Sequence, residues 1–484
     1  MASLNEYHFL ARLMAGYSMT TTHPSENQSY VRGVAPGALP LLGHAPQFLR
    51  DPLDFVTSLG AHGDIVEIQL GLQPVLVACA RPLANEVMQR CDVFDKGGHF
   101  YDTMKGMLGD GVGTCSWSAH RRKRQLVQPA FQRAKIGAYA RVMHSEVASL
   151  VAGWRTGQTV DVSPAFYRMA TRATVRALFS SDLEATAVAE IQRCFPIVWR
   201  GMLTRMLVPA SLLRLVATRG NRGFDAALAS LNQVLADIIR AYRTAGVDHA
   251  DILSALLAAE DEATGLPLTD AELHDELMTL LVGGTETTSA TLAWAFHLLA
   301  GHPEVERRLH AEVDEVLGGR IATFEDIARL EYTHRLVTET LRLYPPGWVT
   351  TRLVTADTEL GGHHLAAGTA VMVSHYAIHH DPSVFPEPYR CDPDRWLPER
   401  ASTIPKDAWV AFGSGRRRCL GDMFALTEIT MALATIAGRW SLRPASDRPL
   451  KIQPRMFLTP GSLPMTFTAR PAGDAQAPAA DGGS

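Results

Sequence analysis

The chain has 484 residues, 46% of them hydrophobic and 20% charged, with a formal net charge of −4 at pH 7. That is the balance of a globular enzyme with a sizeable core, and the weak negative charge argues against nucleic acid as a partner. Six cysteines (Cys79, Cys91, Cys115, Cys194, Cys391 and Cys419) stand far apart with no C-x-x-C pair, so a disulfide framework is not expected and a reducing cytoplasm fits.

In chain order, the most apolar early stretch is His8 to Met19. It is short and contains Arg12, so it does not cross roughly 30 Å of hydrocarbon; no transmembrane anchor is expected. It also lacks the basic start of a signal peptide. Residues 1–30 read as a disordered extension, with a second possible start at Met19. Ile65 to Leu70 and Pro74 to Cys79 alternate as strands and form a hairpin across Gly71-Leu72-Gln73. Gly98 to Val112 reads as a glycine-rich loop carrying Phe100, Met104, Met107 and Leu108. Phe224 to Ala241 has helical spacing of its apolar residues. Asp270 to Ala300 is a long helix opened by Thr269, with Glu272 three residues on in the capping-box pattern. Phe324 to Tyr344 is a further helix, stopped by Pro345-Pro346. Leu353 to Leu360 and Thr369 to Ser374 are strands, and Gly421 to Trp440 is a last helix. Residues 471–484, rich in Ala, Pro, Gly and Asp, read as a disordered tail.

The fold class is therefore mainly α with small β-sheets. Length alone suggests roughly three domains, but the motifs below are spread along the chain and must converge, so residues 31–470 read as one domain. No G-x-G-x-x-G follows a strand, so no fused flavin or nicotinamide domain is expected.

The stretch Phe412-Gly-Ser-Gly415-Arg-Arg417-Arg-Cys419-Leu-Gly421 carries the first chemistry. A thiolate metal ligand needs a shielded sulfur, glycines that let the backbone approach a flat macrocycle, and backbone N–H groups near the sulfur. The helix starting at Gly421 turns its positive end toward Cys419, which is expected to lower the thiol pKa. On its own the turn also suits a buried structural cysteine.

This stretch resembles the heme-binding signature of the cytochrome P-450 superfamily, and the resemblance runs from about Gly37 to Arg470. It implies a triangular prism of helices with heme b between the long central helix and the Cys-ligand loop. Cys419 is then the axial iron ligand, with Phe412, Gly415 and Gly421 shaping the loop. The implied activity is a monooxygenase that uses O2 and two externally supplied electrons to hydroxylate an apolar small molecule.

Three further motifs follow the family's order. Gly283-Gly284-Thr285-Glu286-Thr287-Thr288 combines poor helix formers, so a local distortion is expected. Small residues leave a groove for O2, and the resemblance gives Glu286 and Thr287 the relay of protons. Glu339 and Arg342 share a helix face, and the resemblance makes them a buried structural pair joined by Arg395. Trp117-Ser-Ala-His120-Arg121-Arg122-Lys123-Arg124 supplies cations for the heme propionates. By resemblance His120, Arg124, Arg352 and Arg417 make those contacts, with Trp117 nearby.

For the substrate pocket, the expected residues are Phe100, Met104, Met107 and Leu108, then Leu280 and Gly283, Val349 with Thr350, and Met456 with Phe457. For each, plain core packing is the alternative. Gly37-Ala-Leu-Pro-Leu-Leu-Gly43-His44, Gln128-Pro-Ala-Phe131 and Asp394 to Arg400 are similar to actinobacterial members that oxidise terpenes. A cyclic sesqui- or diterpene in bacterial secondary metabolism is the expected substrate. A macrolide, steroid or fatty acid is the alternative. Added terpene cyclase activity is disfavoured, because Asp248-His-Ala-Asp251 and Glu260-Asp261-Glu262 do not form D-D-x-x-D. Electrons are expected from a ferredoxin and its ferredoxin reductase. The ferredoxin would dock where Arg121, Arg122, Lys123, Arg416 and Arg418 ring the proximal face.

Overall fold

A computed structural model describes residues 29–179, 184–207, 219–446, 450, 452–454 and 456–470. The expected extension and tail lie outside these residues, apart from the extension's last two. There Tyr30 is buried and its carbonyl lies 2.8 Å from His363 Nε2, so the expected boundary at residue 30 falls on a packed residue. Among the described residues no helix is long and apolar enough to cross a membrane.

The hairpin is present. Strand β1 (Arg32–Val34) runs parallel to β2 (Ile65–Leu70), and β2 pairs antiparallel with β3 (Gln73–Ala78), Ile65 opposite Ala78. Strands β4 (Phe94–Asp95), β5 (Val349–Val354) and β6 (Ala370–Ser374) complete a six-stranded sheet of order β1-β2-β3-β6-β5-β4. The expected strand from Leu353 to Leu360 is instead two elements: β5 ends at Val354, and Thr358–Leu360 pairs with His363–Leu365 in a separate ribbon. The Thr355 N–H still reaches the Val93 carbonyl, one step beyond the Phe94–Val354 pair, and the break follows at residues 356–357.

Helices fill the rest. Those that build the site are α1 (Gly98–Leu108), α2 (Trp117–Val127), α3 (Val162–Leu178), α4 (Glu184–Leu207), α5 (Arg219–Ala245), α6 (Asp270–Gly301), α7 (Glu331–Leu343) and α8 (Asp422–Arg439). The α1 segment corrects the expected loop. Gly98 at φ 76° starts it and Gly109 at φ 70° ends it, so the glycines serve as boundaries and the apolar spacing between them prevails. Residues 324–344 are also corrected. Phe324–Arg329 is a 3-10 turn, and α7 starts afresh at Glu331. The reason is non-local: Glu312, from another helix, accepts the N–H groups of Tyr332 and Thr333 and caps a new helix start.

Helix α6 crosses the molecule. Thr269 Oγ1 accepts from the Glu272 N–H at 3.2 Å, and the Thr269 N–H donates to Glu272 Oε2 at 3.0 Å, completing the capping box. Helix α3 packs along it at a contact that only glycine allows, since a Cβ on Gly284 would fall 2.6 Å from Thr174 Oγ1.

Helix α7 carries a fully buried ion pair. Arg342 donates to Glu339 through Nε and Nη2, both at 2.8 Å, and both side chains are 0% exposed. The remaining guanidinium hydrogens go to the carbonyls of His379, Pro388 and Arg390. Glu339 also accepts from the Asp392 N–H and from Trp396 Nε1, both at 3.0 Å, with Arg395 Nε 3.4 Å away. The Arg342 carbonyl lies 3.1 Å from His379 Nδ1, and His379 Nε2 accepts the Val410 N–H at 2.8 Å. A chain of buried bonds thus runs from α7 to the segment that leads into Cys419. Arg342→Ala strips Glu339 of its bidentate partner in the core and leaves only the longer contact to Arg395, so denaturant unfolding should show a loss of about 3 kcal/mol; a loss below about 1 kcal/mol would contradict this role.

Candidate functional site

One cavity brings the central helix and the cysteine loop together: Leu280, Gly283, Gly284, Thr287 and Thr291 of α6 line it, with Phe412, Arg417, Cys419 and Gly421 from the loop. The Cys419 N–H donates to the Phe412 carbonyl at 2.8 Å, closing a tight turn. Protein encloses Cys419, yet its side chain is open to the cavity. Burial, with Asp422 adding, pushes the thiol up to about 11 against the Gly421 N–H, Arg124 and Arg418. The lowering expected from the helix start is therefore outweighed by desolvation, and a bound metal ion would have to displace the proton.

Across the cavity, α6 stays helical through residues 283–288, in place of the expected distortion. The threonines fold back on the preceding turn: Thr287 Oγ1 donates to the Gly283 carbonyl at 2.6 Å and Thr291 Oγ1 to the Thr287 carbonyl at 2.8 Å. Thr288 points elsewhere, fully buried with its hydroxyl unpartnered. Glu286 is not in the lining. Burial alone pushes its carboxyl up to about 7, so it holds a proton at neutral pH about half the time.

The third wall is cationic. Lys96, His120, Arg124, Arg352, Arg417 and Arg418 all line the cavity, and no Asp or Glu does. Arg417 reaches outward to Asp95 at 2.5 Å and to the Cys115 carbonyl at 3.0 Å. Arg352 Nη1 reaches Thr350 Oγ1 at 2.7 Å and the Tyr101 hydroxyl at 3.2 Å. The Nε atoms of both arginines are buried without hydrogen-bond partners. Burial pushes Lys96 down to about 8 and His120 down to about 3, with Arg417 acting in the same direction on both. Asp95 pairs with Arg417 and Asp422 with Arg418, yet the cations of this wall outnumber those acids, which fits a guest that brings carboxylates. The two propionates of heme, with the open thiol on a glycine turn, match that demand.

The expected site residues divide accordingly. Trp117 lies behind the wall, stacked on His120 at 5.8 Å, with the Arg417 guanidinium 5.8 Å from its ring. Gly415 sits behind the loop at φ 67°, where a Cβ would meet the Met88 carbonyl at 2.8 Å. From α1 only Tyr101 reaches the cavity. Met107 and Leu108 are buried in the core, Met104 packs against it, and Phe100 meets Tyr101 edge-on at 5.1 Å. Thr350 lines the cavity and its neighbour Val349 does not; Phe457 does and Met456 does not. Phe457 stacks on Trp199 of α4 at 5.2 Å.

Sequence reasoning missed Lys96, Tyr101 and His375. Lys96 follows the short strand β4, which pairs with β5 so that Asp95 lies opposite Leu353, beside Arg352. That strand pairing is a tertiary fact with no local signal.

The expected basic face is largely dismantled. Lys123 is buried and donates to the Asp110 carbonyl. Arg122 pairs with Glu272 and Asp261, and Arg418 with Asp422 at 2.9 Å. Arg121 and Arg416 are exposed.

A model of the family "Cytochrome P450" matches residues 34–466. Cyclooctatin synthase of Streptomyces melanosporofaciens is 46% identical over 93% of this chain and 98% of its own length. Cyclooctat-9-en-7-ol 5-monooxygenase of the same organism is 44% identical over 91% of this chain and 96% of its own length. Pentalenene oxygenase of Streptomyces avermitilis is 41% identical over 92% and 99%. The solved heme domain of cytochrome P450DA shares the fold with a TM-score of 0.83, at 24% identity over 92% of this chain and 99% of that one.

The raised Glu286 pKa gives a stability prediction. A carboxyl whose folded pKa lies above its unfolded one stabilises the protein at low pH, and that contribution is lost as pH rises through about 7. Glu286→Gln stays neutral throughout. Its denaturant midpoint should gain on the wild type between about pH 5 and pH 8; a gap that stays constant would rule out a buried, titrating Glu286.

Proposed function

The chain belongs to the cytochrome P450 family and is a heme- and O2-dependent monooxygenase, and on that basis we propose that it hydroxylates a cyclic sesqui- or diterpene in bacterial secondary metabolism. The observation that carries the substrate class is the cavity lining, to which Val112, Leu280 and Phe457 bring apolar surface and no Asp or Glu belongs. Near-full-length relatives named as oxygenases of pentalenene and of cyclooctat-9-en-7-ol support it. Residues 31–470 act as one cytoplasmic domain without a fused flavin, fed by a ferredoxin and its ferredoxin reductase.

Bound heme, ligated by the Cys419 thiolate, supplies the activation of O2. The chain supplies the rest. Lys96, Arg124, Arg352 and Arg417 hold the two propionates, with His120 backed by Trp117. Gly283, whose missing side chain leaves open space, keeps room for O2. Thr287 Oγ1 faces that space and can exchange its bond to the Gly283 carbonyl for one to a guest. Glu286, with a pKa of about 7, can release and regain a proton one residue away. Val112, Leu280 and Phe457 exclude bulk water and orient an apolar substrate.

Mass-spectrometric product analysis over a panel of cyclic terpenes tests the substrate class. A singly oxygenated terpene is expected; turnover confined to fatty acids, macrolides or steroids would overturn it. In the same assay Thr287→Ala should lower product formation about 10²-fold, the low end of what a positioned proton donor supplies, while reductant is still consumed and hydrogen peroxide appears. Unchanged coupling would remove Thr287 from the mechanism.

For electron supply, docking narrows to the exposed cations. Arg121→Glu with Arg416→Glu should slow ferredoxin-driven turnover, most visibly at low salt, where screening over about 8–10 Å is weakest. Peroxide-driven turnover should be unchanged. Equal slowing of both routes would place the damage at the heme and refute the docking surface.

A further inference from the structure

Three buried polar atoms in the cationic wall lack partners: the Nε–H donors of Arg352 and Arg417, and Nε2 of His375. Arg352 and His375 both line the cavity. Arg352 lies in β5, and His375 is the first residue past the end of β6; the two strands pair with Thr350 opposite Val373 and Arg352 opposite Val371. Side chains alternate along a strand, so Arg352 and Thr350 share a face. His375, two residues beyond Val373, opens a short helix beside the start of β5, where the Tyr376 N–H donates to the Trp348 carbonyl. The guanidinium folds back toward this corner, since Arg352 Nη1 lies 2.7 Å from Thr350 Oγ1.

The His375 ring is also fixed. Nδ1 lies 2.7 Å from the Gly347 carbonyl, and a carbonyl only accepts, so Nδ1 carries the hydrogen. Burial pushes the ring down to about 4 against the pull of that bond, and Arg352 is the charged group that acts with burial. The ring is therefore neutral near pH 7, and Nε2 presents a lone pair. A buried donor and a buried acceptor, each unpaired, stand in one wall; leaving both unmet is costly.

We propose that His375 is a positioning residue for the carboxylate end of the cofactor: with heme bound, its Nε2 accepts from the Nε–H of Arg352 and holds the guanidinium in place for a propionate. This rests on the reading that heme occupies the cavity. It adds a residue that no sequence motif singled out.

Transfer of heme to excess apomyoglobin, followed by absorbance, tests it. Wild type, His375→Leu and His375→Gln are each loaded with protoheme or with its dimethyl ester, whose propionates carry no charge. His375→Leu should release protoheme about 10-fold faster, the loss of one hydrogen bond to a charged group. His375→Gln, whose amide oxygen can accept, should stay near wild type. With the ester, all three should release at one rate. Unchanged protoheme release in His375→Leu, a glutamine variant as fast as the leucine variant, or faster release of the ester by His375→Leu would each overturn the proposal. The carbon monoxide spectrum of each loaded protein reports the iron ligand separately, so a failure of the heme-thiolate reading is seen on its own.

Discussion

The site depends on one run of buried hydrogen bonds, from Glu339 through Arg342 and His379 to the Val410 N–H. Burying a carboxylate and a guanidinium is costly, and their mutual attraction repays it only when every remaining donor and acceptor is met. That condition holds for Arg342, whose donors end on one carboxylate and three carbonyls. The Arg342 carbonyl then sets the His379 tautomer, and His379 holds the chain just before Phe412. Since the Phe412 carbonyl accepts the Cys419 N–H, the sulfur's place under the cavity is fixed from α7, about 80 residues away in sequence. The pair is structural, and it does its work through rigidity.

Charge is distributed in the opposite sense around the cavity. Cations converge on it and acids are kept out of its lining. Burial pushes two glutamates, Glu286 and Glu276, up to about 7, and Cys419 to about 11. A pocket built this way is electrostatically incomplete until an anionic guest with a metal centre arrives. Binding such a guest would settle the propionate wall and the thiol together, which couples cofactor loading to stability.

Much of this was legible in the sequence wherever local rules decide. The hairpin followed from alternation, α6 from its capping box, and the cysteine loop from glycines at fixed offsets. The motif residues Cys419, Thr287, His120, Arg124, Arg352 and Arg417 do share one cavity. Tertiary contacts decided the rest. Glu312 split the helix expected over residues 324–344. The glycines of Gly98–Gly109 marked helix ends rather than a loop, and this turned Met107 and Leu108 into the core and Tyr101 into the cavity. The run Arg121-Arg122-Lys123-Arg124 looked like one patch, yet helical rotation sends its members to solvent, to an acidic pair, to the core and to the cavity in turn. Lys96 and His375 had no signal because their neighbours come from distant strands.

The most direct test of the central claim, that Cys419 ligates the iron of a heme held in this cavity, is the absorption spectrum of the reduced carbon monoxide complex of wild type and Cys419→Ser. A thiolate donates charge to the iron, so the wild-type Soret band should lie well to the red of a histidine-ligated carbonyl. In Cys419→Ser that shift should vanish. A Cys419→Ser protein that keeps the red-shifted band would mean that another group holds the iron, and would contradict the account.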